Sequence, residues 1–163
     1  MKKQNGNIMI ISLLFITAIL IIFVFIISVF ISQVNNTLYR IKTEMYIFNR
    51  NGIIAINKNI ASQGILSYSE EKYKEQFIKA LKDNYSLNEK MENDMGLVER
   101  IKIKEYKILN KNKKDSFTNK RVEDVTLHTV IEIELKPIIM KKLLDKVFIF
   151  DVHEDVVLNG VKM

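Results

Sequence analysis

The 163-residue chain has no cysteine and no tryptophan, and it has only one proline, two histidines and five glycines. Without cysteine it cannot form a disulfide framework, a zinc site with thiolate ligands or a cysteine nucleophile. The glycines are scattered from Gly6 to Gly160 and cannot form a phosphate-binding loop. No serine stands in a Gly-x-Ser-x-Gly context. We therefore expect a protein that is not an enzyme and that needs no cofactor.

Acidic residues are absent before Glu44, and within that region Ile8–Ile31 is a run of 24 uncharged, mostly apolar residues. As a helix it would be about 36 Å long, enough to cross a bilayer core of about 30 Å. A cleavable secretory signal has a shorter apolar core of about 7–15 residues. A soluble core helix that is apolar on every face would need a large protein around it. The run predicts a transmembrane helix over residues 7–32.

Basic residues flank the apolar run unequally. Lys2 and Lys3 lie directly before it in a short leader, residues 1–6, whereas Arg40 and Lys42 lie some way after it. Because lysine and arginine favour the cytoplasmic side, we expect a single-pass cell-membrane protein with a cytoplasmic N-terminus. The C-terminal domain would then lie outside the cytoplasm, with membrane lipid around the helix.

An amphipathic pattern follows the apolar run over residues 33–64. Its apolar residues have 4-3-4-3 spacing, typical of a helix stripe, with a break in register near Gly52. A glycine inside a helix costs roughly 1 kcal/mol relative to alanine, so we expect a kink there. We expect this stripe to pack on the rest of the chain and on neighbouring subunits: Val34, Leu38, Ile41, Met45, Phe48, Ile53, Ile56 and Ile60.

Residues 65–163 are expected to form a small α+β domain. Ser67 and Glu70 match a capping box before a short helix that ends near Asn84. A period-two pattern begins at Ile101 and changes phase near Glu105, which indicates a strand with a bulge.

Two further strands are predicted near the C-terminus, at residues 125–135 and 148–158, with a short helix from Ile138 to Lys146 between them. So small an antiparallel sheet is marginal alone. The predicted fold class is therefore α+β: a long transmembrane-plus-amphipathic helix packed on a small antiparallel sheet.

One cluster has the residue types of a metal site. Asp151, His153 and Asp155 share a strand face and could hold a cation loosely. His128 lies on the polar face of the preceding strand, and its distance from His153 depends on an unknown register. The favoured interpretation is the solvent-facing side of an edge strand, so no metal site is assigned.

A basic segment lies between the first two strands, with the residues Lys111, Lys113, Lys114, Lys120 and Arg121. Such a patch attracts nucleic acid, anionic lipid or an acidic polymer. It lacks interleaved aromatic residues and any nucleic-acid-binding module. We expect a solvated hairpin loop and no nucleic-acid partner.

Two stretches make the chain resemble the type IV pilins, and more narrowly the tight-adherence (TadE/TadG-like) pseudopilins. The leader Met1-Lys-Lys-Gln-Asn-Gly6 is similar to a prepilin leader that ends at its processing glycine. Residues 130–137 and 147–152 are similar to the strand, proline segment and closing strand common in TadE-like proteins. The resemblance implies processing between Gly6 and Asn7. It also implies assembly with other pilin-like subunits and their machinery, as a homo- or hetero-oligomer on the cell surface.

The chain departs from the pilin pattern at two positions. Such pilins usually carry glutamate at the fifth position after the glycine, and this chain has Ile11. The first residue after the glycine is Asn7 rather than a hydrophobic residue. The resemblance therefore favours a minor pilin or pseudopilin of a type IV pilus, a Tad-type filament or a related secretion or adhesion filament. The alternative is a bitopic membrane protein that binds partner membrane proteins through its amphipathic helix and small domain without entering a filament.

Overall fold

A computed structural model describes residues 2–62, 69–93, 95–136 and 148–158, and for residues 2–7 and 55–62 only the helical backbone. The described chain has this order of elements: α1 (Lys2–Ser62), α2 (Glu70–Tyr85), β1 (Val98–Leu109), β2 (Thr126–Leu135) and β3 (Phe148–Val157). It divides into two compact units, Met1–Thr37 and Leu38–Met163. The predicted α+β class is confirmed.

The first unit is the N-terminal part of α1. Every side chain from Ile8 to Phe25 is exposed, as expected of a helix that is apolar on all faces and has no protein around it. Helix α1 continues without interruption through Gly52 to Ser62, and the predicted end near Gly64 lies outside the described residues.

The second unit contains a three-stranded antiparallel sheet in the order β1-β2-β3. Strand β2 pairs with β3 in one unbroken register from Thr126 to Leu135. The pairing of β1 with β2 shifts between Ile103 and Glu105, which leaves Lys104 as the extra residue. The bulge predicted near Glu105 is therefore confirmed, and it preserves the alternation of inward and outward side chains on both sides of the shift.

One face of the sheet forms the main apolar core with α1 and α2. Ile101 pairs with Ile133, which in turn pairs with Phe150, so apolar side chains line up across the three strands. Ile131, Ile133 and Leu127 are fully buried on this face. Glu154 lies on this same face, among the apolar residues of β3 that point to the core, and its carboxylate is 4.0 Å from the ammonium group of Lys42 in α1. Burial raises the pKa of the Glu154 carboxyl group.

Helix α2 begins at a cap different from the predicted one. The side chain of Ser69 is the N-cap and accepts a hydrogen bond from the backbone N–H of Lys72; Ser67 lies outside the described residues. The buried side of α2 consists of Tyr73, Phe77, Leu81 and Tyr85. The cap was misplaced because a second serine, two positions later, offers the same side-chain acceptor.

Helix α2 also packs on α1 at two points. A Cβ added to Gly52 would lie 3.6 Å from Cβ of Gln76, so the two helices approach closely at this glycine. Glu44 accepts hydrogen bonds from the Tyr85 hydroxyl and from Nδ2 of Asn84. Burial and the neighbouring Glu44 carboxylate raise the pKa of Tyr85 above its usual value.

A buried amide fixes α1 on the sheet. Asn49 is 1% exposed, and its Nδ2 donates to the hydroxyl of Thr129 at 3.0 Å. Its Oδ1 accepts from the hydroxyl of Tyr106 at 3.2 Å. A buried polar group without a partner costs about 1–3 kcal/mol, so this pair of bonds specifies one rotational setting of the helix.

Replacing Asn49 with alanine is expected to lower the free energy of unfolding by about 2–3 kcal/mol, because two buried hydroxyls lose their partner. Asn51→Ala is the matched control, since Asn51 is exposed on the same helix and such changes stay within about 0.5 kcal/mol. Urea unfolding of the full chain in detergent micelles, followed by tyrosine near-ultraviolet circular dichroism, measures both. Equal effects of the two substitutions would contradict a fixing role for Asn49.

Candidate functional site

The stripe predicted on α1 is largely internal to the second unit. Ile41, Met45 and Ile53 are completely buried by the chain itself, whereas Leu38 and Phe48 are half-buried. Val34, in the first unit, is 7% exposed. The burial of Ile41, Met45 and Ile53 therefore shows packing within the second unit, and contact of the stripe with neighbouring subunits stays a prediction. Gly6, Asn7, Ile56 and Ile60 are described only as helical backbone.

The apolar surface left open is the N-terminal part of α1. Among the described residues, α1 is the one helix that is both long enough and apolar enough to cross a membrane, judged by length and composition. Its most apolar window has a mean hydropathy of 3.3 and no buried residue. This surface is the first of two candidate functional features.

The second feature lies on the other face of the sheet, under the segment that joins β1 to β2. This segment, residues 110–125, forms a small hairpin: Lys114 and Arg121 pair as an antiparallel bridge. The predicted hairpin is confirmed, and its basic side chains are exposed. Asp115 is the exception, 1% exposed at the underside of the hairpin.

Asp115 organises the hairpin turn. Its carboxylate accepts hydrogen bonds from the backbone N–H groups of Phe117 and Thr118, at 2.7 and 3.2 Å, and from the Thr118 hydroxyl. Burial by itself would raise the pKa of Asp115, but these hydrogen bonds and the nearby His128 outweigh burial and hold the pKa below its usual value. The side chain is thus kept as a carboxylate facing the sheet.

Both histidines of the chain lie beneath this carboxylate. The register pairs His128 with Asp155 and Val130 with His153, so the two imidazoles occupy neighbouring strands on one face. Their ring centroids are 5.0 Å apart. Asp115, His128, His153 and Asp155 together, hereafter the His/Asp cluster, each offer a ligand atom, and these atoms all lie within 4.8 Å of one another.

The individual distances within the His/Asp cluster are short. Nδ1 of His128 lies 2.9 Å from Oδ1 of Asp155 and 3.5 Å from Oδ1 of Asp115. Nε2 of His153 lies 3.1 Å from Oδ1 of Asp155 and 3.6 Å from Oδ2 of Asp115. Two nitrogens and two carboxylates therefore alternate around a common centre.

The outer nitrogen of His128 has its own partners. Nε2 lies 3.3 Å from the hydroxyl of Ser116 and 3.6 Å from Oε2 of Glu105. Ser116 donates to Glu105 at 2.6 Å. Hydrogen bonds from Lys107 and Ser116 lower the pKa of Glu105, which keeps it as a carboxylate acceptor.

The inner nitrogen of His153 has no such partner. Nε2 is buried and makes no hydrogen bond within the part of the chain that the structure describes, although Oδ1 of Asp155 lies 3.1 Å away. The imidazole stacks on Phe117 of the hairpin, with centroids 4.9 Å apart and 14° between the planes. The ring is thereby held with one nitrogen directed at the cluster.

Asp151 does not join the cluster. Its carboxylate pairs with Lys104 at 2.7 Å, together with Glu132 at 2.8 Å from the same ammonium group. These two acidic groups raise the pKa of Lys104. The solvent-facing interpretation of the strand holds for Asp151, whose side chain is 41% exposed. It is wrong for His153, 14% exposed, because the hairpin covers that end of the sheet.

The sequence pattern did not identify Asp115. The signal available was local: an aspartate followed by a serine and, three positions on, a threonine is typical of a turn closed by an aspartate side chain. That the turn folds back over the sheet depends on Phe117 packing on His153, a contact between residues 36 positions apart that spacing does not reveal.

An open cleft lies beside the cluster. Its volume is about 370 Å³, and its lining includes Asp115 and Asp155 together with Lys120 and Arg121 of the hairpin. A small ion or molecule therefore has a route from solvent to both carboxylates.

Comparison of the chain with models of protein families, with curated proteins and with solved structures finds no match. The function therefore has to be inferred from the residues and their geometry.

Asp115→Ala is expected to lower the free energy of unfolding by about 2 kcal/mol, because two part-buried backbone N–H groups of the turn and the Thr118 hydroxyl lose their acceptor. Asp124→Ala is the control, since Asp124 is exposed in the same segment and should change stability by less than about 0.5 kcal/mol. Both are measured by urea unfolding with a chelator present, so that bound metal has no effect. A loss no larger for Asp115→Ala than for the control would show that Asp115 does not hold the hairpin.

Proposed function

We propose that this chain is a membrane-anchored structural subunit, a minor pilin or pseudopilin of a type IV pilus, a Tad-type filament or a related secretion or adhesion filament. The single observation that supports the proposal is the contrast in burial between the two parts of α1. One uninterrupted helix has an N-terminal part whose apolar side chains are all exposed and a later part whose stripe is buried under a sheet. Such a helix needs lipid or other apolar helices around its first part.

The proposed assembly uses the exposed part of α1. In the membrane, the side chains from Ile8 to Phe25 contact lipid. In a filament, the same side chains contact the equivalent helices of neighbouring subunits, so one apolar surface serves both environments. Because Ile41, Met45 and Ile53 are already buried, helix contacts beyond the membrane rely on half-buried and exposed neighbours such as Tyr39 and Ile47.

The second candidate is a bitopic membrane protein that binds partner membrane proteins and never leaves the bilayer. The observation that favours it is Ile11 at the position where pilins usually carry glutamate. A carboxylate in a bilayer is costly and is retained for a role, and a chain without it lacks one contact expected in a long filament. Leader processing distinguishes the two candidates.

The membrane anchor is tested by three arginines in the apolar run. The triple variant carries Ile16→Arg, Leu20→Arg and Val24→Arg. Together these changes raise the free energy of membrane insertion by roughly 8–10 kcal/mol, which is comparable to the total favourable free energy of inserting about 20 apolar residues. We expect the triple variant to leave the carbonate-washed membrane fraction. Arginine at Tyr39, Thr43 and Ile47, which have the same spacing outside the run, should leave the chain in that fraction. Retention of the first variant, or loss of both, would contradict the anchor.

Processing is tested by the mass of the mature protein in cells of its source. A pilin-like subunit is expected to begin at Asn7, and Gly6→Leu is expected to leave Met1 in place and to remove the chain from sheared surface filaments. Gln4→Leu, in the same leader, should be processed normally. An intact Met1 on the wild-type protein would refute the pilin proposal and favour the bitopic candidate.

A further inference from the structure

We propose that the His/Asp cluster is a binding site for a divalent transition metal, best suited to zinc, which joins the 110–125 hairpin to strands β2 and β3. The four ligands would be Asp115, His128, His153 and Asp155. This site belongs to the second unit and is independent of whether the chain enters a filament.

The spacing of the donor atoms fits tetrahedral zinc. Zinc bonds to nitrogen and oxygen of about 2.0–2.1 Å place neighbouring ligands of a tetrahedron about 3.3 Å apart. The four nitrogen–oxygen distances around the cluster are 2.9, 3.1, 3.5 and 3.6 Å. The two distances to Asp115 run to different oxygens, and all four ligand atoms lie within 4.8 Å of one another. Side-chain adjustments that draw the ligand atoms inward would complete a tetrahedron.

The unpaired nitrogen of His153 is the second argument. Nε2 is buried without a hydrogen bond from any described residue, and a buried polar atom without a partner costs about 1–3 kcal/mol. Its nearest oxygens, on Asp155 and Asp115, surround it at 3.1 and 3.6 Å without accepting a hydrogen bond. A metal ion at the centre of the cluster would give this nitrogen the partner it lacks.

The surroundings of the ligands have the arrangement that orients metal ligands. Metal-bound histidine usually directs its other ring nitrogen to a carboxylate or hydroxyl, and metal-bound carboxylates are themselves hydrogen-bonded. Nε2 of His128 faces Ser116 and Glu105. Asp115 receives hydrogen bonds from the backbone of Phe117 and Thr118. Each of these two ligands is therefore fixed independently of the ion.

The donor set selects the metal. Calcium and magnesium take oxygen ligands, whereas two imidazoles and two carboxylates suit zinc and its first-row neighbours. Two carboxylates with neutral histidines also balance the charge of a divalent ion. Four protein ligands fill a tetrahedron, so the site is a structural one with no position open for a substrate. The cleft beside Asp115 and Asp155 gives the ion an entry route.

The competing explanation is a hydrogen-bonded network without metal, since Nδ1 of His128 lies 2.9 Å from Oδ1 of Asp155. Strand β3 offers a matched pair of substitutions to decide between them. Asp155→Asn changes a proposed ligand, and Asp151→Asn makes the same change four residues earlier on the same face, at a carboxylate that binds Lys104 instead.

The experiment measures zinc binding by the full chain in detergent micelles, purified without a histidine tag and stripped with a chelator. Titration calorimetry with Zn²⁺ is expected to give one ion per chain. Asp155→Asn should weaken affinity at least tenfold, since loss of even an outer hydrogen-bonded partner costs about ten- to a hundredfold. Asp151→Asn should bind like the wild type, and Ca²⁺ should not bind.

Cobalt supplies a structural readout. Co²⁺ in place of zinc is expected to give the intense visible absorption of tetrahedral coordination, and His153→Gln should abolish it. Zinc should also raise the unfolding temperature of the wild type and of Asp151→Asn, but not of Asp155→Asn. No saturable zinc binding, octahedral cobalt spectra, or equal losses in Asp151→Asn and Asp155→Asn would overturn the site and leave the hydrogen-bonded network as its explanation.

Discussion

Burial of strand β2 on both faces is the constraint on which the second unit depends. A sheet of three strands has too little surface to be stable alone, and its central strand is buried from Thr126 to Ile131. One face is covered by α1 and α2 through apolar packing. The other is covered, at one end, by a hairpin of mostly polar residues. Two different kinds of cover, one on each face, therefore bury the same strand.

The two kinds of cover have different specificity. Apolar packing between α1 and the sheet is not directional, and the buried amide of Asn49 selects one arrangement among many that would bury similar area. On the opposite face, the hairpin brings few apolar side chains, and Phe117, Ser116 and the buried carboxylate of Asp115 contact the sheet. There, charge and hydrogen-bond direction decide the fit. A polar cover of this kind is the natural location for a bound ion.

Much of the fold could be predicted because periodicity reports burial. The period of the apolar residues shows which side of a helix or strand must avoid water. It predicted the apolar run from Ile8, the stripe through Ile41 and Met45, and the alternation of β2. The bulge at Lys104 was visible in the sequence as a change in the phase of the period-two pattern of apolar residues. The pairing register was not predictable, and it alone places His128 opposite Asp155 and two residue pairs along the ladder from His153.

The His/Asp cluster therefore could be predicted only in fragments. His153 and Asp155 were grouped by strand period, Asp151 was grouped with them by the same rule, and only the structure separates it, through Lys104 on the bulge. Asp115 comes from a segment with no periodic pattern. Sites assembled from a turn and two strands depend on long-range packing, and sequence spacing carries no record of it.

The position of Asn49 has a consequence for how the protein is made. Its partner Thr129 lies 80 residues later in the chain. At about 5–20 residues per second, synthesis of that interval takes roughly 4–16 s. During these seconds the apolar stripe of α1 has left the ribosome without the strand that will cover it. The newly made chain must therefore shelter its stripe against the bilayer or a chaperone until β2 arrives.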